Sequence, residues 1–283
     1  MSANAPSKRR CAPPPQDGAS TLTDGGALHV ETTGSGPSLV LLHGWAMHGG
    51  LLATLVPVLE DRYRISVVDL PGHGHSPPVA PYTLDAIVAT LARHFADEGE
   101  PLTVLGWSLG GTIALRWALL HPDRVSRLLL VCTTPRFVAS DDWPCAVDPA
   151  AYARFGDEFR VAYRLTLQRF LSLQVQGGDE GRATLAALRG EFFARGAPRP
   201  AVLDAALDVL AAADLRAEVP TIAARTLVVT GSRDALVPTE AGTWLARAMP
   251  AARHVDIDGA AHAPFLSHRR AFDAAVREFL DAG

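Results

Sequence analysis

The run Ser38-Leu39-Val40-Leu41-Leu42 has no polar face and stops at His43-Gly44. A strand with one wet side alternates apolar and polar residues, whereas a strand covered on both sides does not. The run therefore predicts a buried parallel strand. Further strands are predicted over 64–69, ended by Leu70-Pro71-Gly72, and over 102–105, 125–132, 226–230 and 253–257. Helical spacing falls between them: over 51–59, over 83–97 (Leu84, Ile87, Val88, Leu91, Phe95), through Ile113, Leu115 and Trp117 to Leu120, and over 269–280. Strand and helix in alternation predict an α/β fold, with a mostly parallel central sheet flanked by helices.

The alternation breaks near Pro135. From Asp148 to Ala213 the apolar positions keep a helical period, with candidate helices at 151–174, 179–194 and 200–213. Gly177-Gly178 and Gly196-Ala197-Pro198 separate them. The expected organisation is a flexible tail over 1–20, a core over 21–135 and 214–283, and a helical cap over 136–213.

Composition narrows the function classes. The 283 residues carry 26 basic and 30 acidic side chains, a net charge of −4, and Lys8 is the only lysine. That balance argues against nucleic-acid binding through a global basic field. Cys11, Cys132 and Cys145 are widely spaced and form no C-x-x-C, so neither a disulfide framework nor a zinc ribbon is expected. The basic residues Lys8, Arg9 and Arg10 are followed by Cys-Ala-Pro-Pro-Pro, not by the apolar stretch of a signal peptide. No apolar run approaches the ~20 residues of a bilayer span. A cytoplasmic protein is expected.

Gly106-Trp107-Ser108-Leu109-Gly110 matches G-x-S-x-G, between a predicted strand and a predicted helix. That context makes Ser108 a candidate nucleophile on a sharp turn. A serine hydroxyl needs a base. Among ten histidines, His262 is best placed, in the small-residue loop Gly259-Ala260-Ala261-His262-Ala263-Pro264 after the last predicted strand. Asp234 follows the strand ending at Thr230 and is the first candidate for the orienting acid, with Asp256 and Asp258 as rivals. The chain order Ser108, Asp234, His262 is that of α/β-hydrolases. An oxyanion would be met by the N–H of Leu109 and by that of Trp45, in the loop His43-Gly44-Trp45. The Trp45 ring is a candidate wall of an acyl site.

With these residues in place, the chain resembles the α/β-hydrolase superfamily over 35–283. Residues 42–45, 68–76 and 106–111 are motifs many hydrolases share. Trp107 before the serine, Phe170-Leu171-Ser172-Leu173-Gln174 in the cap, and Ala261-His262-Ala263-Pro264-Phe265 are more specific. They resemble the carboxylesterases of biotin synthesis that act on a pimeloyl methyl ester carried by acyl-carrier protein. The resemblance implies catalysis by Ser108, Asp234 and His262. It also implies substrate contacts from Trp45, Leu109, Phe170, Leu171, Ser172, Leu173 and Gln174. An acidic acyl-carrier protein is the implied partner, held by cap arginines, for which Arg164, Arg169, Arg182 and Arg189 are candidates. No cofactor, metal, nucleic acid or membrane is implied, and a monomer is expected. A general esterase, a lactonase or a C–C bond hydrolase would share every catalytic residue. A non-catalytic ligand-binding protein on this fold is a further alternative, disfavoured by the intact triad.

Overall fold

The computed structural model describes residues 26–174, 181–196 and 198–282, without the side chains at 181–184 and 187. The tail expected over 1–20 lies outside the described residues, as does the start of the helix expected at 179.

The apolar runs form the sheet. Strands β1 (Val30–Thr33), β2 (Ser38–Leu42), β3 (Arg64–Val68), β4 (Leu102–Trp107), β5 (Val125–Val131), β6 (Arg225–Gly231) and β7 (Ala252–Ile257) lie in the order β1-β3-β2-β4-β5-β6-β7 among the described residues. All neighbours pair in parallel except β1, which runs antiparallel to β3. Every residue of β2 and β4 is buried, which is why neither run alternates. The edge strand β1 was not expected. Its Val-Glu-Thr-Thr is largely exposed and offers no apolar pattern.

Helices α1 (Val56–Leu59), α2 (Leu84–His94), α3 (Leu109–Leu120), α7 (Thr239–Ala248), α8 (Pro264–Ser267) and α9 (Arg269–Asp281) accompany the sheet. The stretch 51–59 forms short 3₁₀ turns before α1, not one continuous helix. Thr83 caps α2 by accepting the Ala86 N–H, a contact typically worth about 1 kcal/mol. Between β5 and β6 lie α4 (Pro149–Leu173), α5 (Gly181–Phe192) and α6 (Pro200–Ala212). The 25-residue α4 is broken at Ala162, whose backbone leaves helical geometry.

Two arginines fasten this helical layer to the core. Arg195, after α5, pairs with the buried Asp69 (3.1 Å) and with Glu31 (2.7 Å). Arg199 donates to the carbonyls of Gly72 (3.1 Å) and Ser76 (2.8 Å). Burial works to raise the Asp69 carboxyl, but the neighbouring His43, then the N–H donors of His75 and Gly49 and the Arg195 charge, together outweigh it. The group stays below the usual carboxylate range.

Candidate active site

The site forms where β2, β4, β5 and β6 end. Ser108 sits between β4 and α3 with φ 56° and ψ −119°, a left-handed conformation that costs a non-glycine residue energy. Crowding at this turn explains the glycines. A Cβ on Gly106 would lie 2.3 Å from the Gly110 carbonyl oxygen, and one on Gly110 would lie 2.3 Å from that of Leu42.

The elbow is clamped from β5. The Ser108 N–H donates to the Val131 carbonyl (2.9 Å), and the Thr133 hydroxyl donates to the Ser108 carbonyl (2.7 Å). The N–H groups of Gly111 and Thr112 also turn back to that carbonyl. The N–H groups of Leu109 and Gly110 are thus left at the leading, electropositive end of α3.

Asp234 and His262, 28 residues apart in the chain, meet in a buried hydrogen bond of 2.7 Å between Oδ2 and Nδ1. The other carboxylate oxygen accepts the N–H of Leu236 (2.8 Å) and of Val237 (3.0 Å). With Nδ1 donating to the acid, a neutral His262 carries its lone pair on Nε2, and Nε2 is buried with no partner among the described residues. The loop bearing His262 is tied to the elbow. The Trp107 indole donates to the His262 carbonyl at 2.7 Å, which gives the tryptophan before the serine a structural purpose. The Ala263 N–H donates to the carbonyl of Gln174, linking the same loop to the end of α4. The rival acids are engaged elsewhere: Asp256 accepts the hydroxyls of Thr230 (2.7 Å) and Thr239 (3.3 Å), and Asp258 that of Ser232 (3.2 Å).

His43 positions the opposite loop. Its Nδ1 meets the Gly44 carbonyl (2.8 Å), so Nδ1 is the protonated nitrogen, and Nε2 accepts the Leu70 N–H (3.0 Å). Burial pushes this ring down to about 3, so it stays neutral. In a trans peptide C=O and N–H point oppositely. Pinning the Gly44 carbonyl therefore turns the Trp45 N–H away from His43. The Trp45 indole donates to the Leu203 carbonyl of α6 at 2.9 Å. Its ring meets Phe155, Phe159 and Phe170 edge-on at 5.0–5.5 Å.

Ser108 opens onto an apolar cavity. Trp45, Phe155, Phe170, Leu173, Leu207, Leu210 and Leu236 line it together with Phe137, Val147 and Tyr152. Of the cap motif, Phe170 and Leu173 reach the cavity, whereas Leu171 is buried in the core cluster and the Ser172 hydroxyl bonds back to Gln168 (3.2 Å). Gln174 is fully buried. Arg164, Arg169 and Arg189 are exposed. Arg164 covers the Tyr163 ring and Arg169 pairs with Glu158. The Arg182 side chain lies outside the described residues.

In the sequence Cys132 only ends an apolar run. It adopts φ 45°, and its buried thiol lies beside Asp234; burial and that carboxylate push the thiol well up, so it stays protonated. Its sulfur and the ligand atoms of Asp234 and His262 lie within 4.8 Å of one another, as do those of His29, Asp69 and His75. In the first group the acid and imidazole hold each other, and in the second Asp69 is already paired with Arg195. Among the described residues no helix is long and apolar enough to cross a membrane.

The sequence profile of the alpha/beta hydrolase fold matches residues 37–269. The pimeloyl-[acyl-carrier protein] methyl ester esterase of Chromobacterium violaceum is 45% identical over 254 residues, spanning 90% of this chain and 98% of that relative. The protein of the same name from Nitrosomonas europaea is 41% identical over 246 residues, 87% of this chain and 96% of its own. A bromoperoxidase crystal structure from Bacillus anthracis superposes with a TM-score of 0.83 at 24% identity, over 90% of this chain and 95% of that one, a likeness of fold. The strand order, the elbow between β4 and α3, and the span of the profile agree: the chain belongs to the α/β-hydrolase fold family.

Proposed function

We propose that this protein is a serine carboxylesterase that hydrolyses the methyl ester of pimeloyl-[acyl-carrier protein], releasing methanol and the free carboxyl end, as a step of biotin synthesis. The observation that carries the chemistry is the buried Asp234–His262 pair, on a loop that the Trp107 indole ties to the strained elbow of Ser108, with Ser108 at an apolar cavity. The substrate comes from the names of the two relatives, each aligned over nearly its whole length.

His262 Nε2 takes the Ser108 proton as Oγ attacks the ester carbonyl. Asp234 holds the imidazole and stabilises its charge. The N–H groups of Leu109 and Trp45 receive the oxyanion; removal of one such donor typically costs about 10²–10³ in rate. Collapse expels methanol with the proton from His262. Water, deprotonated by the same ring, then cleaves the acyl-enzyme and restores Ser108. Residues 136–213 act as the cap over this chemistry. The exposed Arg164, Arg169 and Arg189, with Arg182, meet the acidic carrier.

The test is hydrolysis of the carrier-linked methyl ester against a panel of p-nitrophenyl esters, with Ser108→Ala as the blank. The proposal expects the carrier ester to be turned over with the higher kcat/KM. Turnover of the small esters alone would leave a general esterase.

A further inference from the structure

The cavity beside Ser108 is hydrocarbon over its described wall. Phe137, Phe155, Phe170, Leu173 and Leu210 face it, and no arginine, lysine or histidine stands among its described lining residues. The polar atoms that do reach the wall are already used. The Tyr152 hydroxyl donates to the Leu207 carbonyl (2.5 Å) and the Trp45 indole to that of Leu203 (2.9 Å). The charge behind the wall is acidic. Burial raises the Tyr152 phenol above its ordinary range, and Asp208 and Asp204 of α6 push in the same direction. Arg160 opposes them, but it is bound to Asp204 (2.9 Å) and Asp157 (3.3 Å).

An acyl chain seated here leaves water along its length. A methyl or ester terminus loses little by that move. A carboxylate terminus loses its hydration and finds no donor, and an uncompensated buried charge is strongly disfavoured.

We infer that this cavity sorts acyl chains by the charge at their far end, admitting neutral tails and refusing those that end in a carboxylate. A chain with two hydrolysable ends is therefore cut once. After the methyl ester is hydrolysed, the remaining chain ends in a carboxylate. Bringing its thioester to Ser108 would bury that carboxylate against Phe170 and Leu210, so the product keeps its bond to the carrier. The consequence for the thioester rests on the function proposed above; the rule for tail charge does not.

Two p-nitrophenyl esters of one length test the rule: methyl p-nitrophenyl pimelate, with a neutral tail, and mono-p-nitrophenyl pimelate, with an anionic one. At neutral pH the anionic-tail ester is expected to show a kcat/KM lower by about 100-fold or more. Values within about threefold would overturn the rule, since ~0.7 kcal/mol cannot represent a buried bare charge. Leu210→Arg should bring the ratio below about tenfold by supplying a partner. Phe137→Arg is the second such variant, and a circular-dichroism melt reports which of them fold. A ratio unchanged in a folded variant would count against the rule. The pimeloyl-carrier thioester should persist under conditions that consume its methyl ester completely, and its hydrolysis at a comparable rate would overturn the single-cut consequence. A carrier methyl ester left intact beside charge-sorted nitrophenyl esters would remove the functional reading and keep the tail rule. A hydrolysed carrier ester with no charge sorting would do the reverse.

Discussion

Replacing Asp234 with asparagine separates the acid's role in catalysis from its role in the loop. One carboxylate oxygen accepts two backbone N–H groups at 2.8 and 3.0 Å, and the other accepts His262 Nδ1 at 2.7 Å. An asparagine keeps a carbonyl oxygen for the two backbone donors, so the loop retains its shape. Its NH₂ then faces Nδ1 as a donor. The imidazole answers by placing its lone pair on Nδ1 and its proton on Nε2. In that tautomer it cannot accept the Ser108 proton. The same substitution in a chymotrypsin-type triad lowers kcat by about 10⁴, close to 5.5 kcal/mol of barrier. Stability should change less, by on the order of 1.5–3 kcal/mol, because one charge-assisted bond is lost and two backbone bonds remain. Steady-state hydrolysis of p-nitrophenyl butyrate gives the rate, and a circular-dichroism melt gives the stability. Asp256→Asn and Asp258→Asn serve as controls and should stay within about threefold of the parent, since their carboxylates bind Thr230, Thr239 and Ser232. A kcat for Asp234→Asn within tenfold of the parent, or a thousandfold loss in either control, refutes the assignment.

Ser108→Ala should abolish labelling by a serine-directed phosphonate and lower kcat by about 10⁴–10⁶, while the melt stays close to the parent's because alanine keeps the Cβ at the same positive φ. Labelling at another serine would sink the nucleophile. His43 and His73 are pushed by burial from 6.5 down to about 3 and about 4. The unfolded chain therefore binds protons that the folded one refuses. Stability is complete above about pH 6.5 and declines as pH falls toward 4, by on the order of 3 kcal/mol for His73 alone. Chemical denaturation at stepped pH measures this, and His73→Gln should flatten the slope; an identical slope would contradict it. A combined Arg164→Glu, Arg169→Glu, Arg189→Glu variant should raise KM for the carrier ester by roughly tenfold, weaken its salt dependence and leave p-nitrophenyl butyrate unaffected. Equal losses on both substrates would mean a damaged cap.

Much of the architecture was legible because burial on both faces leaves a plain mark. The runs that became β2 and β4 are buried throughout and hold only Ser38 and Thr103 as hydrophilic residues, and the breaks after them fall at the loops bearing Trp45 and Ser108. The elements that escaped notice are those whose packing needs few large apolar side chains. β1 pairs by its backbone while its side chains meet water. α7 buries Ala241, Gly242 and Leu245, a stripe too small to register as a helix period. Ser108, Asp234 and His262 each follow a predicted strand, and of the three the structure joins Asp234 and His262 by a hydrogen bond. Contacts that depend on distant chain segments left no local trace. Asp69 and Arg195 are 126 residues apart, and Trp107 reaches a carbonyl 155 residues away. The motif at 170–174 was read as one unit, but a helix turns successive residues about 100° apart. Phe170 and Leu173 therefore face the cavity while Leu171 enters the core.

Trp45 shows why the cap and the chemistry cannot be tuned separately. Its peptide N–H is the proposed second oxyanion donor, and the His43 bond to the preceding carbonyl sets the direction of that N–H. Its side chain packs against the helices between β5 and β6, held by the Leu203 carbonyl of α6 and by three phenylalanines of α4. A shift of α6 or α4 pulls on the residue whose backbone must meet the oxyanion, and a misplacement of about 1 Å can cost 10²-fold in rate. The neutral, doubly hydrogen-bonded His43 resists that pull from the core side.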